Sequence, residues 1–237
     1  MDSKYKIIIA AGGTGGHIFP AIALAKKFKS DGNQVTIIAT GNDLEKKIFA
    51  LEKIDVAYFE SRFKDVSRFS KYISLFTTPK LDLIKYVRDF KPDLVLGMGG
   101  YASLDVCKAA SYIGAYHDSE EHFMMEESIE PYIAIHEQNS KAGRANRYIA
   151  NTRARGIIEG FPGAFDWKTK FLQSSTDDLI FLGNPVRSEI LDVKRNVRSY
   201  SEYSKNPRIL ILGGSQGARS INYSMPDVVQ KLSLKMD

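Results

Sequence analysis

The sequence of 237 residues contains almost no cysteine. Its one cysteine, Cys107, cannot form a disulfide within the chain, which excludes a disulfide-stapled scaffold and fits a reducing cytosol. Long hydrophobic runs are also missing, because no stretch reaches the about 20 apolar residues that span a bilayer. These two absences leave a globular, non-spanning domain as the expected class.

The sequence also has only a small excess of positive over negative charge. The formal net charge is +5, from 33 basic and 28 acidic residues, and 43% of the residues are hydrophobic. This balance fits an anionic ligand or a membrane surface as partner. No interleaved arginine and aromatic motif indicates RNA binding, so we expect no nucleic-acid partner.

The most informative stretch lies near the start of the chain. Ile7, Ile8 and Ile9 form an apolar run that predicts a buried parallel strand, and residues 12–16 (GGTGG) contain four glycines. Apolar residues at helical spacing follow. The order of strand, glycine loop and helix is typical of a site where backbone N–H groups and the positive end of a helix meet a phosphate.

Two familiar phosphate loops are excluded at this position. A dinucleotide fingerprint needs its third glycine where Ile18 stands, and no Lys-Ser/Thr pair follows as in a P-loop. A tight turn without a ligand is the alternative interpretation. His17, at the junction of loop and helix, is a candidate general base because an imidazole exchanges its proton near neutral pH. Alternatively, His17 is a helix-start residue that is bonded to the backbone.

The rest of the chain alternates strands with helices, which predicts an α/β parallel sheet. Strands are predicted over 34–39, 56–59, 93–97, 132–135 and 179–182, and helices over 43–51, 104–113 and 142–149. Residues 62–88 are basic and apolar, with a break at Pro79. Residues 115–130 are strongly acidic and contain His117 and His122. We interpret this last stretch as a solvated loop rather than a metal site.

The opening pattern returns near the other end of the chain. Residues 208–212 (RILIL) predict a strand, residues 213–217 a second glycine loop, and a helix is predicted from Arg219. Residues 192–207 are polar and basic, as in a linker. Because one βα unit cannot bury its own faces, we expect either a truncated second domain or a stub that packs on the first.

Five short signatures stand in a fixed order: GGTGGHIFPA (12–21), GMGGYAS (97–103), HEQNSKAGRANR (136–147), GNPVR (183–187) and GGSQGARSIN (213–222). Together they closely resemble the MurG family of bacterial N-acetylglucosaminyltransferases, over nearly the whole chain except 115–130. The resemblance implies a GT-B architecture of two Rossmann-like domains. The implied division is an acceptor-binding domain over 1–182, a linker over 183–207 and an incomplete donor-binding domain over 208–237.

The resemblance also implies an activity. Members of the family transfer N-acetylglucosamine from UDP-GlcNAc to lipid I (undecaprenyl-pyrophosphoryl-MurNAc-pentapeptide), which gives lipid II in peptidoglycan synthesis, with inversion at the anomeric carbon. The resemblance implies no metal or other cofactor, and a peripheral location on the cytoplasmic face of the inner membrane. Residues 69–88 mix apolar and basic side chains, which fits contact with an anionic bilayer. Ordinary helices with a core face and a solvated face are the alternative.

The matching positions give the candidate site residues. His17 falls on the proposed general base toward the acceptor hydroxyl. The donor-binding positions implied by the resemblance are Thr14, Gly15, Gly16, Asn139, Arg187 and Ser215. The acceptor-binding positions are Gly99, Gly100, Tyr101 and Glu137. For Glu137 and Asn139 a structural role, in which they tie a loop down, is the alternative.

The family continues past residue 237 with a domain that supplies further uridine and sugar contacts. We therefore expect poor binding of UDP-GlcNAc and little or no transfer activity for this chain alone. The leading alternative is a non-catalytic remnant that binds the acceptor or the membrane. A related GT-B transferase with other substrates is opposed by the HEQN and GGSQGA signatures, and a dinucleotide-dependent oxidoreductase by the failed glycine spacing.

Overall fold

The computed structural model describes residues 4–62, 77–115, 130–165, 179–193, 209–213 and 218–233. The chain divides into two units, Met1–Leu191 and Asp192–Asp237. Residues 183–191, the first part of the predicted linker, thus belong to the first unit. In the ranges just given, no helix is both long enough and apolar enough to cross a membrane.

A parallel sheet forms the centre of the first unit. Its strands in the described ranges are β1 (Lys6–Ala10), β2 (Gln34–Ala39), β3 (Val56–Tyr58), β4 (Leu94–Gly97), β5 (Tyr132–Glu137), β6 (Gly156–Glu159) and β7 (Leu179–Phe181). They lie in the order β3-β2-β1-β4-β5-β6-β7, and each strand is parallel to its neighbours. The predicted α/β parallel sheet is therefore confirmed.

Helices cover both faces of this sheet. They are α1 (Gly15–Ser30), α2 (Asp43–Leu51), α3 (Leu81–Phe90), α4 (Gly100–Ala115), α5 (Arg144–Thr152) and the short α6 (Ser188–Leu191). Buried residues of α1 and α2 pack with Ile7 and Ile9, whereas those of α3, α4 and α5 pack with Ile8. Successive side chains of a strand point to opposite faces, so the run of isoleucines is apolar throughout because both faces are covered.

Helix α4 and strand β6 differ from the prediction in the first unit, and the short helix α6 lies where a linker was predicted. Helix α4 begins at Gly100 rather than at Leu104, so the second glycine loop runs directly into the first helical turn. Strand β6 (GIIE) was not predicted, because two apolar residues followed by a glutamate form too short a pattern. The consequence for the site is that β6 adds a further loop at the carboxyl edge of the sheet.

Residues 69–88 are described only in part, since residues 63–76 lie outside the described ranges. In α3, Leu83 and Val87 are buried in the core, as in an ordinary amphipathic helix. Leu81 is 80% exposed, and Lys80 and Lys85 beside it are exposed as well. The helix thus combines a core face with a small apolar and basic surface.

In the second unit the structure describes helix α7 (Arg219–Ser233). The predicted strand over 208–212 is wrong for its described residues, because Ile209–Leu212 are not in a strand. Leu210 is 80% exposed. In the described part of this unit no other strand is present to pair with residues 209–212, which is the physical reason that these residues are not in a sheet. Ser215 and most of the acidic stretch 115–130 lie outside the described ranges.

Candidate functional site

The candidate site lies where the strand order of the sheet changes direction. From β1 the chain continues outward to β2 on one side, whereas from β4 it continues to β5 on the other. In sheets of this kind, ligands bind in the crevice outside the carboxyl ends of the strands at this switch point. The loops that follow β1 and β4 meet here, and both are rich in glycine.

These two glycine loops are in direct contact. A Cβ atom placed on Gly99 would lie 3.0 Å from Nε2 of His17, and one placed on Gly100 would lie 3.0 Å from the carbonyl oxygen of Gly12. Gly99 and Gly100 also have φ angles of +97° and +77°, which other residues rarely adopt. Glycine is therefore required at both positions, for its conformation and for the close approach.

His17 is half-buried at this contact. Its Nδ1 lies 3.1 Å from the carbonyl oxygen of Gly12. A carbonyl oxygen only accepts, so in the neutral ring Nδ1 carries the proton and Nε2 has the free lone pair. Nε2 is the nitrogen that faces Gly99. The bond to the backbone, which was the alternative interpretation of this residue, thus orients the ring with its basic nitrogen toward the second loop.

The amino end of α1 is open toward the same crevice. Thr14 is the N-cap of α1, and its side chain makes no capping hydrogen bond. Gly15 and Gly16 follow as the first two helical residues, whose N–H groups have no acceptor inside a helix. The positive end of the helix dipole adds to these donors. The first turn of α1 is consequently a suitable place for an anionic group.

A buried carboxylate that sequence reasoning missed holds the first loop. Glu45 is fully buried and accepts hydrogen bonds from the N–H groups of Gly13 and Gly41, both at 2.6 Å, and from the hydroxyl of Thr40 at 2.8 Å. With Asn42 it also forms the capping box at the start of α2. The capping pattern was a visible signal for the helix start, but it gave no sign of the contact with Gly13.

The second loop is fixed by a buried hydroxyl. The hydroxyl oxygen of Ser103 lies 2.7 Å from the carbonyl oxygen of Ala10 and 2.8 Å from that of Gly99, and the hydroxyl can donate a hydrogen bond to either. Tyr101 lies between these anchored residues on the first turn of α4 and is 42% exposed. The backbone of this loop is thus held to β1, while the phenol ring remains accessible to a ligand.

Glu137 and Asn139 lie in the loop after β5. Glu137 is buried, and its carboxylate accepts from the backbone N–H groups of Asn139, at 3.0 Å, and Gly143, at 2.9 Å, and from the side-chain amides of Asn139 and Asn146. This is the structural role that the sequence left as the alternative. Asn139 is exposed, so it remains accessible. The Asn146 amide, in the first turn of α5, would lie 3.6 Å from a Cβ on Gly99, so the group that holds Glu137 adjoins the crevice.

His136 joins the loop after β5 to the loop after β7. Its Nδ1 accepts from Nε2 of Gln138 at 2.9 Å, so its Nε2 carries the proton and donates to the carbonyl oxygen of Gly183 at 2.9 Å. The side chain of Asn184 donates to the carbonyl oxygen of Gln138 at 3.1 Å. Burial lowers the pKa of His136, against the opposing effects of the Gly183 carbonyl and the charge of Glu137.

Arg187 is brought to the side of α1. Its guanidinium carbon lies 4.5 Å from the ring centroid of Phe19, in the first turns of that helix. Among the described side chains, no carboxylate lies within ion-pair distance of Arg187. The structure thus places Arg187 against the ring of Phe19, and that ring lies against Gly15 in the first turn of α1.

Metal ligands were not expected in this site. In the ranges that the structure describes, no three His, Cys, Asp or Glu side chains are grouped as metal ligands would be. His117 and His122 lie outside those ranges. The expectation that the protein uses no metal therefore stays a prediction.

The fold is similar to that of solved nucleotide-sugar enzymes. The crystal structure of MurG from Acinetobacter baumannii aligns with a TM-score of 0.54 and 25% identity, over 78% of this chain and 46% of that one. MnaA from S. aureus, solved with UDP, aligns with a TM-score of 0.55 and 16% identity, over 85% and 51% of the two chains, and shows the fold alone. The fold is that of the N-terminal domain of a GT-B glycosyltransferase.

Residues 7–158 match the model of the glycosyltransferase family 28 N-terminal domain, and the chain belongs to this family. Two relatives are named UDP-N-acetylglucosamine–N-acetylmuramyl-(pentapeptide) pyrophosphoryl-undecaprenol N-acetylglucosamine transferase. The protein of Vibrio cholerae (strain M66-2) is 30% identical over 98% of this chain and 58% of its own length, and that of Francisella tularensis (strain SCHU S4) is 35% identical over 98% and 57%. The resemblance drawn from the five signatures is confirmed. The chain spans less than two thirds of the length of these relatives.

Proposed function

We propose that this chain carries the acceptor-binding part of an inverting N-acetylglucosaminyltransferase. The reaction is transfer of N-acetylglucosamine from UDP-GlcNAc to lipid I, which gives lipid II. Family membership and the names of the relatives support these substrates. The observation that carries the proposal is the placement of His17, whose Nδ1 is bonded to the carbonyl oxygen of Gly12 and whose Nε2 faces the glycine loop at Gly99.

The two glycine loops divide the substrates between them. Gly99, Gly100 and Tyr101 are assigned to the acceptor, since they border the basic nitrogen of His17. Thr14, Gly15 and Gly16 at the amino end of α1 are assigned to the donor, together with Arg187 beside them. A helix end and a guanidinium both stabilise negative charge, which suits the diphosphate of UDP. Asn139 is a further donor contact and Ser215 another, both assigned by their positions in the signatures.

In the proposed reaction, Nε2 of His17 takes the proton of the acceptor hydroxyl as its oxygen attacks the anomeric carbon. A new glycosidic C–O bond forms on the face opposite the leaving group, which inverts the configuration. The bond between the anomeric carbon and the phosphate oxygen breaks, and its electron pair leaves with UDP. Arg187 and the end of α1 counter the charge of the departing diphosphate, so we propose no metal cofactor.

The proposed location is the cytoplasmic face of the inner membrane, where the protein binds peripherally. Among the described residues, the exposed Leu81 with Lys80 and Lys85 supports contact with an anionic surface. Residues 69–76, the rest of the apolar and basic stretch, lie outside the described ranges. The partners are thus lipid I, UDP-GlcNAc and a membrane surface, with no nucleic acid.

A second candidate function is acceptor binding without catalysis. It is favoured by the second unit, where Ile209–Leu212 do not form the strand expected to begin a donor-binding sheet. An assay with the protein in excess over labelled UDP-GlcNAc and acceptor analogue distinguishes the two candidate functions. Only the transferase should form labelled product. Product formation that falls about a hundredfold or more in His17→Ala at saturating acceptor supports the transferase. Equal product from both proteins contradicts the role of His17, and acceptor binding without product supports the second candidate.

A further inference from the structure

We propose that Phe19 is a positioning residue, whose ring holds the guanidinium of Arg187 beside the amino end of α1. The assignment of a nucleoside diphosphate as the ligand of that guanidinium rests on the proposed function. The position of the side chain itself rests only on geometry within the first unit. No role in binding follows from the type of residue alone, because a phenylalanine in the first turns of a helix is ordinarily a core residue.

The contact between the two side chains is close. The guanidinium carbon of Arg187 lies 4.5 Å from the centroid of the Phe19 ring, inside the about 6 Å over which a cation is attracted to an aromatic face. No described carboxylate competes for Arg187 at ion-pair distance. An arginine side chain without contacts samples many rotamers. The contact with the ring of Phe19 restricts these rotamers.

The ring of Phe19 is itself held in place. A Cβ atom on Gly15 would lie 3.1 Å from Cε2 and 3.3 Å from Cδ2 of Phe19, so the ring packs directly against the backbone of Gly15. Residues four apart share one face of a helix, which brings Phe19 back over the first turn. Phe19 is partly buried and also packs against the core cluster that contains residues of α1 and β1. Gly15 is thus needed because a side chain there would displace the ring.

The backbone that leads to Arg187 is anchored independently. His136 holds the carbonyl oxygen of Gly183, and the side chain of Asn184 holds that of Gln138. The loop is therefore fixed three residues before Arg187, and the ring of Phe19 fixes the far end of its side chain. A guanidinium held over a ring keeps N–H donors at its edge for the oxygens of a phosphate.

The placement can be tested without any ligand. The ring current of Phe19 should shift the resonances of the Arg187 Hδ protons and Nε–H upfield in NMR spectra of the whole chain. We expect this shift to disappear in Phe19→Leu and to persist in Phe19→Tyr, which keeps an aromatic ring. Phe28→Leu, the same substitution later in α1, serves as control and should leave Arg187 unchanged. Unchanged Arg187 resonances in Phe19→Leu would overturn the inference.

The consequence for binding is tested with UDP as the probe in a double-mutant cycle. Phe19→Leu should weaken UDP binding about threefold, the effect of an exposed cation–π contact, and should have no further effect in an Arg187→Ala background. A loss that persists in that background would contradict a role through Arg187. If the wild type binds no UDP while the resonance shifts behave as expected, the donor assignment fails and the positioning of Arg187 by Phe19 stands.

Discussion

The carboxylate of Glu45 accepts the backbone N–H of Gly13 at 2.6 Å. This bond joins α2 to the first glycine loop at the residue whose φ angle is +94°. The N–H of Gly13 is therefore occupied by an anion from within the protein. We therefore expect a substrate phosphate to use the donors that follow, at Thr14, Gly15 and Gly16, where the helix begins. The buried carboxylate thus determines which part of the loop is left for a ligand.

The substitution Glu45→Gln should lower the free energy of unfolding by about 2 kcal/mol, because hydrogen bonds to a buried charge are lost and an amide NH₂ meets backbone donors. Chemical denaturation measures this change. The matched control is Glu52→Gln at the end of the same helix, whose exposed ion pair with Lys26 is worth about 1 kcal/mol or less. Equal effects of the two substitutions would contradict the role assigned to Glu45.

Gly99→Ala should reduce acceptor binding, because the added Cβ would lie 3.0 Å from Nε2 of His17 and displace the ring. The positive φ angle adds about 1–2 kcal/mol of backbone strain. Gly32→Ala separates the two effects, since Gly32 has a φ of +88° but no atom within 4 Å of the added Cβ. Both variants should unfold at lower denaturant concentration, and only Gly99→Ala should weaken binding of a lipid I analogue. Unchanged acceptor affinity in Gly99→Ala would argue against the contact.

Stability should depend on pH through His136. Burial lowers the pKa of His136 in the folded protein below its usual value of 6.5. Its contribution to stability is therefore complete above about pH 6.5 and is lost as the pH falls toward the folded pKa, because the unfolded chain takes up the proton first. Protonation also removes the acceptor that Nδ1 offers to Gln138.

This pH dependence is measured as the free energy of unfolding at pH 8 and at pH 5.5, in the wild type and in His136→Asn. The decrease on acidification should be larger in the wild type, by at most about 1.4 kcal/mol for each pH unit. Other titrating groups contribute equally to both proteins and cancel in the difference. An identical decrease in the two proteins would show that His136 does not titrate as described.

The sequence predicted the layers of the fold because local patterns determine them. The isoleucine run of β1 is visible within three residues, and the structure places it in a buried strand as predicted. The glycines at 99 and 100 are equally visible, and both have the positive φ angles that favour glycine. The start of α4 was predicted too late, since GGYAS is typical of a loop although it includes the first turn of the helix.

Contacts between distant parts of the chain could not be predicted in this way. Glu45 lies 32 residues from Gly13, and nothing in its own helix shows that it reaches the loop. For Glu137 the signature identified the residue but not the direction of its carboxylate, which turns inward to four donors. Whether a polar residue faces a ligand or supports a loop depends on packing that short patterns do not contain.

The acceptor site is tested most directly by isothermal titration calorimetry of this chain with a soluble lipid I analogue and, separately, with UDP-GlcNAc. We expect that the analogue binds, that the His17→Ala/Tyr101→Ala double variant loses this binding, and that UDP-GlcNAc binds weakly. Tyr132→Ala is the control, because Tyr132 is as exposed as Tyr101 but lies at the amino end of β5, on the opposite edge of the sheet. Failure of the wild type to bind the analogue, or equal binding by the double variant, would contradict an acceptor site between the two glycine loops.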